Sequence, residues 1–147
     1  MHSESAEDFI RMAEEDYNAL QDLKYFDFRS TNAACYHAQQ YAEKMIKAKL
    51  IMMGKRPLHT HNLILLLEDF DDSEELELAR EYAGLLTDYE VHTRYPRSGI
   101  TIYSQEDAEE AYDMALRIPY LIGLYKSSIP KDNRNKKPRS IFSRLKR

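Results

Sequence analysis

Cysteine and long apolar runs are scarce in this chain of 147 residues, and each scarcity excludes a class of protein. The single cysteine, Cys35, cannot form a disulfide within the chain, and its place among alanines indicates a small packed side chain in a reducing cytoplasm. No stretch approaches the roughly 18 apolar residues that a membrane span needs. The first residues do not resemble a signal peptide. We therefore expect a cytoplasmic protein with neither a secretion signal nor a membrane segment.

Glycine and proline are also rare, and neither occurs before residue 54, as expected for long helices. Ser5 followed by Asp8 forms a capping box that begins the first helix, and Ser104 followed by Asp107 forms a second one. Each box pairs a hydroxyl with a carboxylate three residues later. Two helix starts are therefore predicted from local chemistry alone.

The other helix boundaries are predicted from single residues. Ser30 or Thr31 is expected to cap a second helix, and Gly54 to close it. Thr60 is the expected cap of a short apolar helix, and a further long helix is expected from about Glu74.

Apolar residues follow the 4-and-3 spacing of a buried helical seam in each long segment. The seam of the second helix comprises Ala34, Ala38, Tyr41, Met45, Ala48 and Met52. Four such segments with short connections predict an all-α fold, an antiparallel up-and-down four-helix bundle with one additional short helix. We expect this bundle to occupy residues 1–126.

Charge is unevenly distributed along the chain. Residues 126–147 hold nine of the 21 basic residues and one of the 25 acidic ones. Residues 1–125 therefore hold 12 basic and 24 acidic residues, a net −12 against +8 in residues 126–147. An acidic body is a poor nucleic-acid surface, whereas a basic tail could contact phosphate. Residues 127–147 are expected to be a disordered tail, because their composition cannot bury enough apolar surface.

Residues 36–48 read YHAQQYAEKMIKA and carry a polar strip beside the apolar seam. At 100° per residue, the strip falls roughly 100° away from the seam. The strip comprises His37, Gln40, Lys44 and Lys47. These side chains predict the rim of a groove. The alternative is that they are ordinary polar residues that close over the core.

Asp16 lies within the apolar seam of the first helix. A buried carboxylate needs hydrogen-bond partners, and a polar group of the second helix or a tyrosine hydroxyl could supply them. The alternative is a role in binding a ligand.

Three elements of the sequence belong together: the stretch at residues 36–48, THNL at residues 60–63 and RYP at residues 94–96. They resemble the HEPN domain family (higher eukaryotes and prokaryotes nucleotide-binding). Asn62 departs from the Thr-His-Asp-Leu element of the family. The resemblance runs from about residue 6 to residue 125. It implies a four-helix bundle, frequent homodimers and a nucleotidyltransferase partner, as in toxin–antitoxin modules.

Many members of this family resemble metal-independent ribonucleases that use an arginine followed, after four to six residues, by a histidine. Arg56 and His61 have this spacing, but they lie at the Thr-His-Asp-Leu element, and no histidine follows Arg94 at the spacing. We interpret the match as accidental. His59, His61 and His92 could bind zinc, but no cysteine or carboxylate pattern completes a site, so neither metal nor cofactor is predicted.

The sequence thus predicts a binding or regulatory module that is non-catalytic and dimeric. A nucleotide or RNA end would bind at the rim, with Lys44 and Lys47 supplying charge and Arg94 a bidentate clamp. Binding should not depend on the tail. A ribonuclease using Arg56 and His61, and a purely structural dimerisation module, are the alternatives.

Overall fold

The computed structural model describes residues 4–94 and 101–125, and these ranges are helical apart from their connecting loops. The helices are α1 (Ala6–Tyr25), α2 (Thr31–Met52), α3 (Leu63–Leu66), α4 (Glu74–Arg94) and α5 (Gln105–Leu121). A single 3-10 turn, Leu67–Asp69, continues α3. The side chains of α4 are described through Tyr89. The predicted tail and residues 95–96 of the RYP element lie outside the described residues.

Side-chain contacts fix the relative directions of α1 and α2. Near the start of α1, Phe9 packs under Lys47, which lies late in α2. Further along α1, Asp16 contacts His37, which lies early in α2. The contacts move backwards along α2 as they move forwards along α1, so the two helices are antiparallel.

Contacts between α4 and α5 run in the same opposed order along the two helices. Tyr82 of α4 contacts Arg117 of α5, and the later Tyr89 contacts Tyr103, just before α5 begins. These two helices are therefore also antiparallel. The predicted all-α up-and-down four-helix bundle is confirmed, with α3 as the additional short helix.

Both predicted capping boxes are present. The Ser5 hydroxyl accepts from the Asp8 N–H at 3.1 Å, and the Asp8 carboxylate accepts from the Ser5 N–H at 2.9 Å. Ser104 and Asp107 exchange equivalent bonds of 3.0 and 3.1 Å. Each box satisfies two N–H groups that the first turn of a helix leaves without partners.

Two predicted caps differ in the structure. Ser30 is the N-cap of α2, but its side chain makes no capping hydrogen bond. Asn62, not Thr60, caps α3, because α3 begins at residue 63 and the Asn62 side chain accepts from the N–H groups of Ile64 and Leu65. Thr60 instead accepts from the Asn62 N–H at 3.1 Å.

Helix α2 is the central element, since it packs against α1, α4 and α5. The seam prediction holds except at Met52, which is 58% exposed at the last residue of α2. Gly54 follows with φ +78°, a left-handed conformation that glycine adopts without strain. Among the described residues, no helix is long and apolar enough to cross a membrane.

Candidate ligand-binding groove

Asp16 is buried in α1 and accepts hydrogen bonds from two residues of α2. Its Oδ1 is 2.9 Å from Nδ1 of His37, and its Oδ2 is 2.6 Å from Nζ of Lys44. We call these three residues the Asp16 cluster. The cluster satisfies the carboxylate with polar groups of the second helix, as the sequence led us to expect.

Glu43 of α2 forms the centre of a second set of contacts, the Glu43 cluster. Its Oε2 accepts from Nζ of Lys47 at 3.1 Å, and its Oε1 is 2.8 Å from Nδ1 of His61. Gln39 also donates to Oε1, at 3.3 Å. An ionised carboxylate only accepts hydrogen bonds, so the hydrogen in this contact is carried by Nδ1 of His61. The other ring nitrogen, Nε2, takes no part in the contact.

Gln39 is fully buried and ties the loop after α2 to the helix itself. Besides contacting Glu43, its Nε2 donates to the backbone oxygen of His61 at 3.1 Å. Its Oε1 accepts from Nε2 of Gln40 at 2.7 Å. The loop position of His61 is therefore held at two points, one on the ring and one on the backbone.

A groove of about 730 Å³ lies between the start of α1, the second half of α2 and the loop at residues 55–61. Six of its lining residues are basic or histidine: Lys44, Lys47, Lys55, Arg56, His59 and His61. The apolar ones are Phe9, Met12, Ile51, Pro57 and Leu58, and the acidic ones are Glu4 and Glu43. The groove thus gathers positive charge in an otherwise acidic body.

The cations of the groove differ in their partners. Lys44 and Lys47 each contact a buried carboxylate, and their side chains are 16% and 11% exposed. Lys55 and Arg56 are exposed and pair with no side chain in the described part of the chain. The charges most accessible to an anion therefore belong to the loop, rather than to the helix-two strip.

Most residues predicted from the strip do meet at the groove. Gln40, Lys44 and Lys47 line it, whereas His37 does not and turns to Asp16 instead. Asp16 acts only indirectly there, by holding Lys44. The side chain of Arg94 lies outside the described part of α4.

Arg56 and His61, the pair with the ribonuclease spacing, both line the groove. His59 lines it as well, and the His92 side chain is outside the described residues. Among the side chains described, those of residues 4–89 and 101–125, no three His, Cys, Asp or Glu are grouped as metal ligands.

Gln39, Glu43 and Lys55 are functional candidates that the sequence reasoning did not include among the site residues. Gln39 follows Cys35 by four residues and precedes Ala42 by three, so it lies within the apolar arc of α2. Glu43 follows Gln39 by four residues and therefore lies one turn further along the same side of α2. Polar side chains within an apolar arc are the available signal for a buried network.

Comparison with known proteins gives one family. The sequence profile of the HEPN domain matches residues 6–122. This chain belongs to the HEPN domain family. Both clusters, and all of the groove-lining residues except Glu4, fall within the matched range.

Two solved structures are similar to this HEPN chain. The crystal structure of TT1696 from Thermus thermophilus is 28% identical, with a TM-score of 0.67, and the match covers 81% of this chain and 96% of that one. The crystal structure of ST0689, an archaeal HEPN homologue, is 27% identical, with a TM-score of 0.61, over 83% of this chain and 98% of that one. No curated protein matches the sequence significantly.

Proposed function

We propose that this HEPN chain is a binding module whose groove takes the phosphate group of a nucleotide or of an RNA end. One observation carries the proposal: Lys55 and Arg56, which pair with no described side chain, share a groove with Lys44, Lys47 and two histidines. Arginine suits phosphate because its planar guanidinium donates two parallel hydrogen bonds. Lysine adds a point charge on a flexible stem.

The neighbouring charges set the expected strength of binding. Residues 1–125 have a net charge of −12, and Glu4 lines the groove itself. This acidic background opposes a phosphate. Affinity should therefore be modest and should fall steeply as salt screens the exposed loop cations.

Calorimetric titration with pyrophosphate, ATP and a short 5′-phosphorylated RNA, at low and high salt, tests the proposal. Arg56→Ala should weaken binding roughly tenfold, because it removes a charge-assisted hydrogen bond. Arg29→Ala is the matched control. It removes one exposed arginine that stacks on Phe26, beyond the far end of α1. Equal losses in the two variants would mean that net charge, and not the groove, governs binding.

The same titration is applied to variants of the other residues that were predicted to contact the ligand. Lys44→Ala and Lys47→Ala should weaken binding too, but each also leaves a buried carboxylate with fewer partners, so their stability must be measured alongside. Arg94→Ala tests the proposed clamp. Deleting residues 127–147 should leave binding intact. Loss of binding only on that deletion would assign the phosphate contact to the tail.

The proposal extends to partners that the family resemblance implies, a homodimer and a nucleotidyltransferase. The apolar arc of α2 does not by itself require a dimer, because three helices of the same chain cover it. Exposed Tyr25, Phe26 and Ile102 offer apolar surface for such contacts. Sedimentation at micromolar concentration should give about twice the chain mass, and a monomer throughout would contradict the dimer.

A ribonuclease is a second candidate, and the Glu43–His61 contact favours it. A histidine held through Nδ1 by a carboxylate can accept a proton at Nε2, and Arg56 in the same groove can stabilise a charged phosphate. Incubation with unstructured RNA in EDTA tests it. Cleavage by the parent that disappears in both Arg56→Ala and His61→Ala would replace the non-catalytic proposal.

A further inference from the structure

Two adjacent glutamines of α2 form a chain of hydrogen bonds with a fixed direction. Gln39 donates both hydrogens of its Nε2, one to the Glu43 carboxylate and one to the His61 backbone oxygen. Both of these partners are acceptors only. Gln39 must therefore present its nitrogen to them and keep its Oε1 for Gln40, which donates to it at 2.7 Å.

The orientation of the Gln40 amide follows from this chain. Reversing the amide would bring its oxygen against Oε1 of Gln39, and two acceptors would face each other. Gln40 is buried and lines the groove. Its Oε1 has no hydrogen-bond partner in the described part of the chain, and its Nε2 has one hydrogen left. The groove is therefore lined by an amide whose direction is set before any ligand binds.

We propose that Gln40 selects phosphate esters that carry a hydrogen-bond donor, either a sugar hydroxyl or a base amine. The loop cations recognise the phosphate, and Gln40 Oε1 accepts from the remainder of the ligand. This inference rests on the proposed phosphate binding and adds the chemistry of the group next to the phosphate. The apolar lining at Met12, Ile51 and Leu58 suits the less polar part of such a ligand.

The selectivity has a physical reason. A ligand that covers the groove also removes water from Gln40 Oε1. If that ligand offers no donor, a buried acceptor is left unpaired. A site built to bond a particular hydroxyl or amine therefore rejects an analogue without that group.

Calorimetry with three nucleotides tests the proposal on the unmodified protein. The probes are AMP, its 2′,3′-dideoxy analogue and purine riboside 5′-monophosphate, which lacks the exocyclic amine. We expect one analogue to bind roughly three- to tenfold more weakly than AMP, the range for one neutral hydrogen bond. Loss with the dideoxy analogue identifies a sugar hydroxyl, and loss with the purine analogue identifies the amine.

Gln40→Met then links the preference to this residue, because methionine keeps the length of the side chain without the amide. The variant should bind all three nucleotides equally, because the acceptor that distinguishes them has been removed. Because the comparison of nucleotides uses the parent protein, a poorly folded variant does not prevent the test.

Three results would overturn the inference, and they are distinguishable. Equal binding of all three nucleotides by the parent contradicts Gln40 selection but leaves phosphate binding in place. Failure of pyrophosphate and every nucleotide to bind removes the proposed function together with the inference. A preference that persists unchanged in a folded Gln40→Met variant would also contradict the inference, because it would assign the selection to another residue.

Discussion

The Asp16 and Glu43 clusters share three kinds of group, a carboxylate, a histidine and a lysine, but they have different positions in the fold. Each is a buried carboxylate that contacts one histidine Nδ1 and one lysine Nζ. The histidine of the first, His37, is 31% exposed and does not line the groove. The histidine of the second, His61, is 57% exposed and does line it.

The difference lies in what each carboxylate joins. Asp16 joins two long helices, so its bonds hold the bundle together. Glu43 joins α2 to the loop at residues 55–61, and this loop brings to the groove two cations, Lys55 and Arg56, that have no side-chain partner among the residues described. A buried ion pair is thus structural in one place and supports a candidate site in the other, although both pairs join a carboxylate to a lysine.

The largest expected effect comes from breaking the Glu43 cluster. Glu43→Leu leaves Lys47, only 11% exposed, without its carboxylate, and should cost about 3–5 kcal/mol of unfolding free energy. Urea denaturation followed by circular dichroism measures the loss. The double variant Glu43→Leu with Lys47→Met removes both charges and should recover most of it. A loss below about 1 kcal/mol in the single variant would show that the pair is effectively solvated.

Breaking the Asp16 cluster should cost less. Asp16→Leu leaves Lys44 and His37, which are 16% and 31% exposed and can be hydrated more readily. We expect a loss of about 1–3 kcal/mol, on the scale of an unsatisfied buried polar group. The same denaturation experiment ranks the two variants. If Asp16→Leu were the more damaging, the proposed contrast between the clusters would be reversed.

Removing the N-cap of α3 should have the smallest effect on stability. Asn62→Ala removes a side chain that accepts from two N–H groups at the start of α3, and should cost about 1 kcal/mol. Ser30→Ala is the matched control, since Ser30 occupies the N-cap of α2 without a capping bond. Its stability should change by less than about 0.5 kcal/mol. Equal losses would indicate that the Asn62 bonds add nothing.

Most of the fold could be predicted because its signals are local. Capping boxes and apolar spacing depend on residues within one or two turns, and both boxes are found where the sequence puts them. The cap of α3 was misassigned because Thr60 and Asn62 both have capping side chains, and only the path of the loop decides between them.

The site was less predictable because its contacts join distant segments. Asp16 pairs with a lysine 28 residues later, and His61 reaches Glu43 across 18 residues. Spacing along α2 gave the correct side of the helix for Lys44 and Lys47, and the four-residue separation of Glu43 and Lys47 indicates their contact. It could not show that Lys44 pairs with Asp16 of another helix. The loop that brings Lys55 and Arg56 to the groove has no periodic sequence pattern from which its path could be predicted.

Nuclear magnetic resonance of the histidine rings during a titration with pyrophosphate and AMP tests most directly whether the Glu43 cluster supports a phosphate site. Assignment requires only the variants His37→Gln, His59→Gln and His61→Gln. We expect the His61 ring signals, and those of His59 beside it in the groove, to shift in proportion to bound ligand, while the His37 signals remain in place. Shifts confined to His37, or no histidine shift at a ligand concentration that calorimetry shows to be saturating, would contradict phosphate binding in this groove.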